Sequence, residues 1–262
     1  VTAAGFDLFA PGAPAVLVLL AARLGGLVLI APVFSARTVP MMVRTALLVV
    51  LALVLVPVAA IVPGTVPRVT PEAMIAETLV GFAIGFGAAV VVGAAEVAGD
   101  LMTAQIGLSG AAVLDPLSQQ SVPVLGHFMQ LFAVSLLLAF DAHLLMIDSV
   151  AASLRYIPVG SPVDAQAGLG AMVSLGGTLF GLGVRFAAPV LAAVLIANAA
   201  LAILSRAAPS LNVLSVAFPV QIGIGLFALA ASIPLIATWF NGWASAYDAT
   251  LTHLLGALSG RR

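Results

Sequence analysis

The sequence predicts an all-α polytopic membrane protein with about six long apolar helices, and three observations carry that prediction. The 262 residues are 63% hydrophobic and 7% charged, with a mean hydropathy of +1.24, whereas soluble domains carry about 25% charged residues. The runs 45–67, 165–184, 186–205 and 207–247 contain no Asp, Glu, Lys or Arg, and a transmembrane helix needs about 20 mostly apolar residues. The breaks between apolar runs carry turn chemistry. A soluble core of buried helices is the rival, and it fails because too few charges remain to cover its surface.

Six segments follow in order, at about 13–34, 43–62, 72–101, 122–150, 167–204 and 211–247. The stretch "PGTVPRVTPE" (Pro63–Glu72) separates the second from the third. Thr70 can cap the third helix, Pro71 suits its first position, and Glu72 meets its positive end. In "LDPLSQQSVP", Asp115 before Pro116 and Ser121 before the fourth segment are further candidate caps. The proline-rich "YIPVGSPVDAQ" precedes the fifth segment. Only "SRAAPSLN" (Ser205–Asn212) separates the fifth from the sixth, so these two are expected to form an antiparallel hairpin. Both exceed one perpendicular crossing, so they must tilt, kink or leave the bilayer core. Pro189 and Pro219 are the expected kinks, because each removes a backbone N–H bond. No strong internal repeat is visible, and one domain spanning 1–262 is the simplest organisation.

Composition excludes several functions. All nine basic residues are Arg and the net charge is −1, so there is no basic face for nucleic acid. Cys is absent and His occurs three times, which gives neither a thiol nucleophile nor metal-ligand spacing. Ser109 in "GLSGA" lacks the G-x-S-x-G spacing and an evident base. "GFAIGFG" has no Lys and lies mid-helix, so it is read as a packing face and not a phosphate loop. No catalytic residue, cofactor or metal is expected. No cleavable signal is expected either, since Val1–Pro14 lacks a basic start. The positive-inside rule is nearly tied, with Arg37, Arg44 and Arg206 on one side and Arg68, Arg155, Arg261 and Arg262 on the other. The reading adopted puts the first and fifth loops in the cytoplasm.

Projection at 100° per residue gives helix faces. Gly81, Gly85, Ala88, Ala95 and Gly99 fall within about 80° of arc. Gly170, Ser174, Gly177, Gly181, Ala188 and Ala192 form a second small-residue ridge. Such ridges let helix backbones approach closely, either within the chain or on a partner chain. Arg185 lies on the second ridge. Lipid exposure would cost it about 3 kcal/mol, so it is expected to be a buried charge, paired with an acid or bonded to carbonyls freed by Pro189. His127, Gln130, Asp141 and Asp148 project within about 60° as a polar stripe, with His143 pointing away. The stripe lines water or meets polar groups on a neighbour, and Asp141 suits either a proton relay or a helix–helix contact. Glu96 and Asp100 lie one turn apart and repel, which suits an aqueous boundary or a partner's base.

Four blocks carry a family resemblance: "RLGGLVLIAPVFSARTVPMMVRTAL" (Arg23–Leu47), "AGDLMTAQIGLSGAAVLDP" ending at Pro116, "HLLMIDSVAASLRYIPVG" (His143–Gly160) and "NAALAILSRAAPSLNVLSVAFPVQIGIGL" (Asn198–Leu226). In this order they resemble the FliR family of flagellar type III export-gate proteins, whose injectisome relatives are the SctT or SpaR proteins. The resemblance implies a multi-pass protein of the bacterial inner membrane and flagellar basal body, needed to pass unfolded flagellar export substrates. It implies FliP, FliQ and FlhB-like partners, contact with membrane lipid, and no enzymatic activity. It also implies a FliP-like first part, about 1–160, and a FliQ-like C-terminal hairpin, about 161–262, in a helical hetero-oligomeric gate.

In the family, the loop after the third long helix looks like a pore plug. Here that segment is about Ile106–Val122, including Ile106, Gly107, Leu108, Gly110, Leu114, Asp115 and Pro116. Its glycines give backbone freedom, its apolar centre packs without a buried charge, and Asp115-Pro116 ends it. A static surface loop is the alternative. Several family members carry Phe near Ala112–Leu114, and this chain does not. The hairpin turn around Arg206, Pro209 and Asn212 matches the FliQ-like end and implies contact with FlhB. "FPVQIGIGL" lacks the Lys often found there in injectisome proteins, which favours the flagellar branch. The alternatives are an injectisome homologue, and a proton-coupled secondary transporter using Asp141, Glu96 and Asp100.

Overall fold

Apolar runs become helices wherever no turn signal interrupts them. The computed structural model describes residues 12–35, 39–61, 67–108, 124–207 and 213–260. These contain α1 (Ala13–Ile30), α2 (Pro32–Ser35), α3 (Met41–Ile61), α4 (Pro71–Ile106), α5 (Val124–Ala139), α6 (Ala142–Tyr156), α7 (Ala165–Ala207), α8 (Val213–Asn241) and α9 (Trp243–Leu258). Among the described residues, five helices are long and apolar enough to cross a membrane, or six if the bent pair α5 and α6 counts as one span. The protein is therefore an all-α polytopic membrane protein.

Local chemistry sets the helix ends. Gly12 takes a left-handed conformation (φ 101°) ahead of α1, with a proline in the first turn. Ala31, in an extended conformation, ends α1, and Pro32 opens α2. The Thr70 hydroxyl accepts the Ala73 N–H at 3.2 Å, so the anticipated cap is formed. Asp164 caps α7 in the same way, through the Ala167 N–H at 2.9 Å. Pro57, Pro189, Pro219 and Pro234 all lie inside helices. The sixth apolar segment ends at Asn241, and α9 continues the chain beyond it as a separate helix through Leu258.

The fourth segment departs from expectation. It is two helices bent by 67° where α5 meets α6. Asp141 has φ 54°, the left-handed region that Asp tolerates better than most residues. The α5 ladder ends there and a new helix begins.

The chain divides into two compact units. The first comprises 1–90, 137–176 and 243–262. Within it α1 packs on α3, and α6 packs on α3 and α9. Tyr247 of α9 lies against Gly87, and its buried hydroxyl donates to the Ile84 carbonyl at 2.8 Å. The second unit comprises 91–136 and 177–242. Phe186 stacks on Trp239 and Phe240, and Gln221 hydrogen-bonds Asn198, so α7 and α8 run antiparallel as expected of a hairpin. Over its most apolar stretch α4 is 61% buried, against 17% for α3 and 22% for α7 and α8. Met42, Val54, Val173, Ile196 and Phe227 are among the large apolar side chains left exposed, a pattern suited to lipid or partner helices.

Candidate functional site

The two small-residue ridges have opposite fates. Every member of the first, from Gly81 to Gly99, is buried. A Cβ on Gly81 would overlap the Arg23 carbonyl, and one on Gly26 would overlap the Thr78 carbonyl and lie 2.8 Å from the Phe82 nitrogen. The backbones of α1 and α4 therefore touch. Every member of the second ridge is exposed, and Gly170, Gly177 and Gly181 have no neighbour within 4 Å of an added Cβ.

That exposure corrects the expectation for Arg185. It is exposed on α7, not buried. Its guanidinium lies over the Trp239 ring, 5.1 Å from the centroid, so an aromatic face supports the charge.

The buried charge is Arg23, which sequence reasoning did not single out. Its side chain is 0% exposed and that of Glu77 is 1%. Arg23 Nε donates to Glu77 Oε2 at 2.5 Å, Nη1 to Ser153 Oγ at 2.8 Å, and Nη2 to the Ile157 carbonyl at 2.9 Å. Glu77 Oε1 also accepts the Gly160 N–H at 2.8 Å. Gly160 has φ +77°, and a Cβ there would lie 2.7 Å from Pro67 Cβ, so glycine is required to present that N–H. The pair thus ties α1, α4, the end of α6 and the following loop in one neutral network. A signal existed in the sequence: Arg23 and Glu77 each stand inside an apolar helix, where an ionisable group needs a partner.

In the second unit the structure joins Glu96, Gln130 and His127. Gln130 Nε2 donates to Glu96 Oε2 at 3.1 Å, and His127 Nδ1 lies 3.3 Å from Gln130 Oε1. A Cβ on Gly99 would lie 2.6 Å from the Gly126 nitrogen, and Asp100 fills the space a Gly126 side chain would need. Glu96 and Asp100 therefore face different neighbours on α5. Asp141 and Asp148 do not extend this group as the projected stripe required. Both are exposed residues of the first unit, beyond the helix break, where a straight-helix projection no longer applies.

Of the loop residues, Ile106, Gly107 and Leu108 are described. Ile106 is fully buried and Gly107 has φ +82°. Gly110, Leu114, Asp115 and Pro116 lie outside the described residues, as do Pro209 and Asn212 of the hairpin turn. Arg206 is exposed in the last turn of α7. Among the described residues no three His, Cys, Asp or Glu side chains are grouped to hold a metal. The arrangement offers packing faces and polar clamps between helices.

Residues 15–246 match the family model described as bacterial export proteins, family 1. The chain is similar to the flagellar biosynthetic protein FliR of Escherichia coli (strain K12), with 32% identity over 82% of this chain and 83% of the relative. It is similar to FliR of Pectobacterium carotovorum at 32% over 82% of each chain. Similarity to FliR of Caulobacter vibrioides is 28% over 87% of this chain and 92% of the relative.

Proposed function

The chain belongs to family 1 of the bacterial export proteins, the family of the flagellar FliR proteins, and on that premise we propose that it helps form the inner-membrane channel through which flagellar subunits leave the cell. It is a component of the flagellar type III protein export apparatus and a multi-pass membrane protein. The observation that carries this conclusion is the family match over residues 15–246. The injectisome and transporter alternatives are not favoured, because the matching relatives are flagellar.

In the finer reading, FliP- and FliQ-like chains and an FlhB-like protein are the partners, and unfolded flagellar subunits are the cargo. The FliP-like part is about 1–160 and the FliQ-like hairpin about 161–262. The exposed apolar side chains support helix-to-helix assembly, since they leave much of α3, α7 and α8 unpartnered within the chain. In this reading, Ile106–Val122 closes the path, and the polar residues of α4 and α5 line it or meet a partner. The chain's contribution is mechanical: it supplies wall, anchor and closure.

A clean deletion is expected to abolish export of rod, hook and filament subunits, measured as their loss from the culture medium. Normal filaments on the deletion strain would overturn the proposal. Co-purification of the tagged chain tests the partner set: recovery without FliP- and FliQ-like proteins would remove them.

A further inference from the structure

A cavity of about 420 Å³ lies at the start of α4, between its first turn and the loop that follows α6. Its polar side chains are Thr70, Glu72 and Ser161. Gly160 forms part of the wall, and the buried Glu77 carboxylate holds the Gly160 N–H at 2.8 Å, so that wall is fixed. Ala165 brings the first turn of α7 to the same cavity. Ile75 and Leu79 carry it on into a second recess of about 320 Å³, lined also by Met74, Thr78 and Phe82. The Thr78 hydroxyl already donates to the Met74 carbonyl at 2.8 Å, which leaves this recess apolar. Both recesses lie within the first unit.

Together they are polar at one end and apolar along the rest. From Glu72 to Phe82, α4 rises about 15 Å, the depth of one leaflet in a hydrocarbon core about 30 Å thick. A lipid has this division of polarity. Helices that approach closely in a membrane do so over small residues, whereas Met74, Ile75, Leu79 and Phe82 are large and suit a flexible chain.

We propose that the two recesses bind one phospholipid with a primary-amine headgroup, of the phosphatidylethanolamine type. The ammonium pairs with the Glu72 carboxylate. The phosphate accepts a hydrogen bond from the Ser161 hydroxyl and faces the positive ends of α4 and α7. One acyl chain lies along Ile75, Leu79 and Phe82. Glu72 disfavours an anionic headgroup that lacks an amine, such as phosphatidylglycerol.

The test places the full chain in nanodiscs with equal amounts of phosphatidylethanolamine and phosphatidylglycerol. Native mass spectrometry then counts the lipid each chain retains on transfer to detergent. One phosphatidylethanolamine per chain is expected. Glu72→Gln should lower its retention about tenfold, the loss of one charge-assisted contact. Ile75→Trp should displace the lipid by filling the junction of the two recesses. Both positions are exposed, so both variants should fold. Equal retention of the two lipids by the parent chain, or unchanged retention in the two variants, overturns the site. A second measurement identifies the occupant in the assembled complex. The chain has no Cys, so Ile75→Cys labelled with a benzophenone maleimide places one photoreactive probe in it. Illumination in the native membrane should attach phospholipid to the chain. Attachment to another protein instead would overturn the lipid in favour of a partner helix.

Discussion

Arg23→Leu is expected to cost the first unit about 3–5 kcal/mol, because it leaves the Glu77 carboxylate buried without its cation. Four interactions depend on the pair: three donated by the guanidinium and one from the Gly160 N–H to Glu77. Removing Arg23 also strands the Ile157 carbonyl. Arg23→Lys should rescue little, since one ammonium cannot reproduce a planar fork aimed at three acceptors. Removing both charges differs in kind. Arg23→Leu with Glu77→Leu leaves no uncompensated ion, and such replacements are often neutral or stabilising. The double variant should therefore recover part of the loss, limited by the Gly160 N–H left unpaired. Thermal unfolding of the purified chain in detergent, compared across the three variants, checks the order. A single Arg23→Leu variant as stable as the parent would show that the pair contributes nothing.

This network marks where sequence reasoning stopped. The spans were legible because hydrophobicity over about 20 residues is a local property. The Thr70 cap was legible for the same reason, as was the α7–α8 hairpin, whose short connection dictates antiparallel neighbours. Pairing of Arg23 with Glu77 is a tertiary fact, set by how α1 crosses α4, and no spacing in one helix reveals it. Arg185 was misplaced by the converse limit: a charge in an apolar run needs support, yet the sequence does not say whether an acid or the Trp239 ring supplies it. The helix carrying the polar stripe bends at Asp141, where no Gly or Pro announces the break. Glu96 and Gln130 are both legible as polar residues in apolar helices, but only the fold brings them within 3.1 Å.

Gly81→Val should destabilise the chain strongly and Gly177→Val hardly at all, although both glycines lie on small-residue ridges of apolar helices. At Gly81 the obstacle is the Arg23 carbonyl, which cannot move without moving α1. The substitution would push α1 off α4 at the turn that carries the buried ion pair, so loss of close packing and loss of the Arg23–Glu77 geometry add. The cost should exceed the 1–3 kcal/mol typical of overpacking at side chains that can rotate away. At Gly177 the added side chain enters open space, and exposed substitutions of this kind change stability by about 0.5 kcal/mol or less. Circular dichroism and thermal unfolding of the two variants in detergent make the comparison. Equal stabilities would mean that α1 and α4 do not cross at Gly81. A loss at Gly177 would mean that something within the chain covers the second ridge. The pattern of small residues is the same in both helices; what separates them is whether a backbone lies opposite.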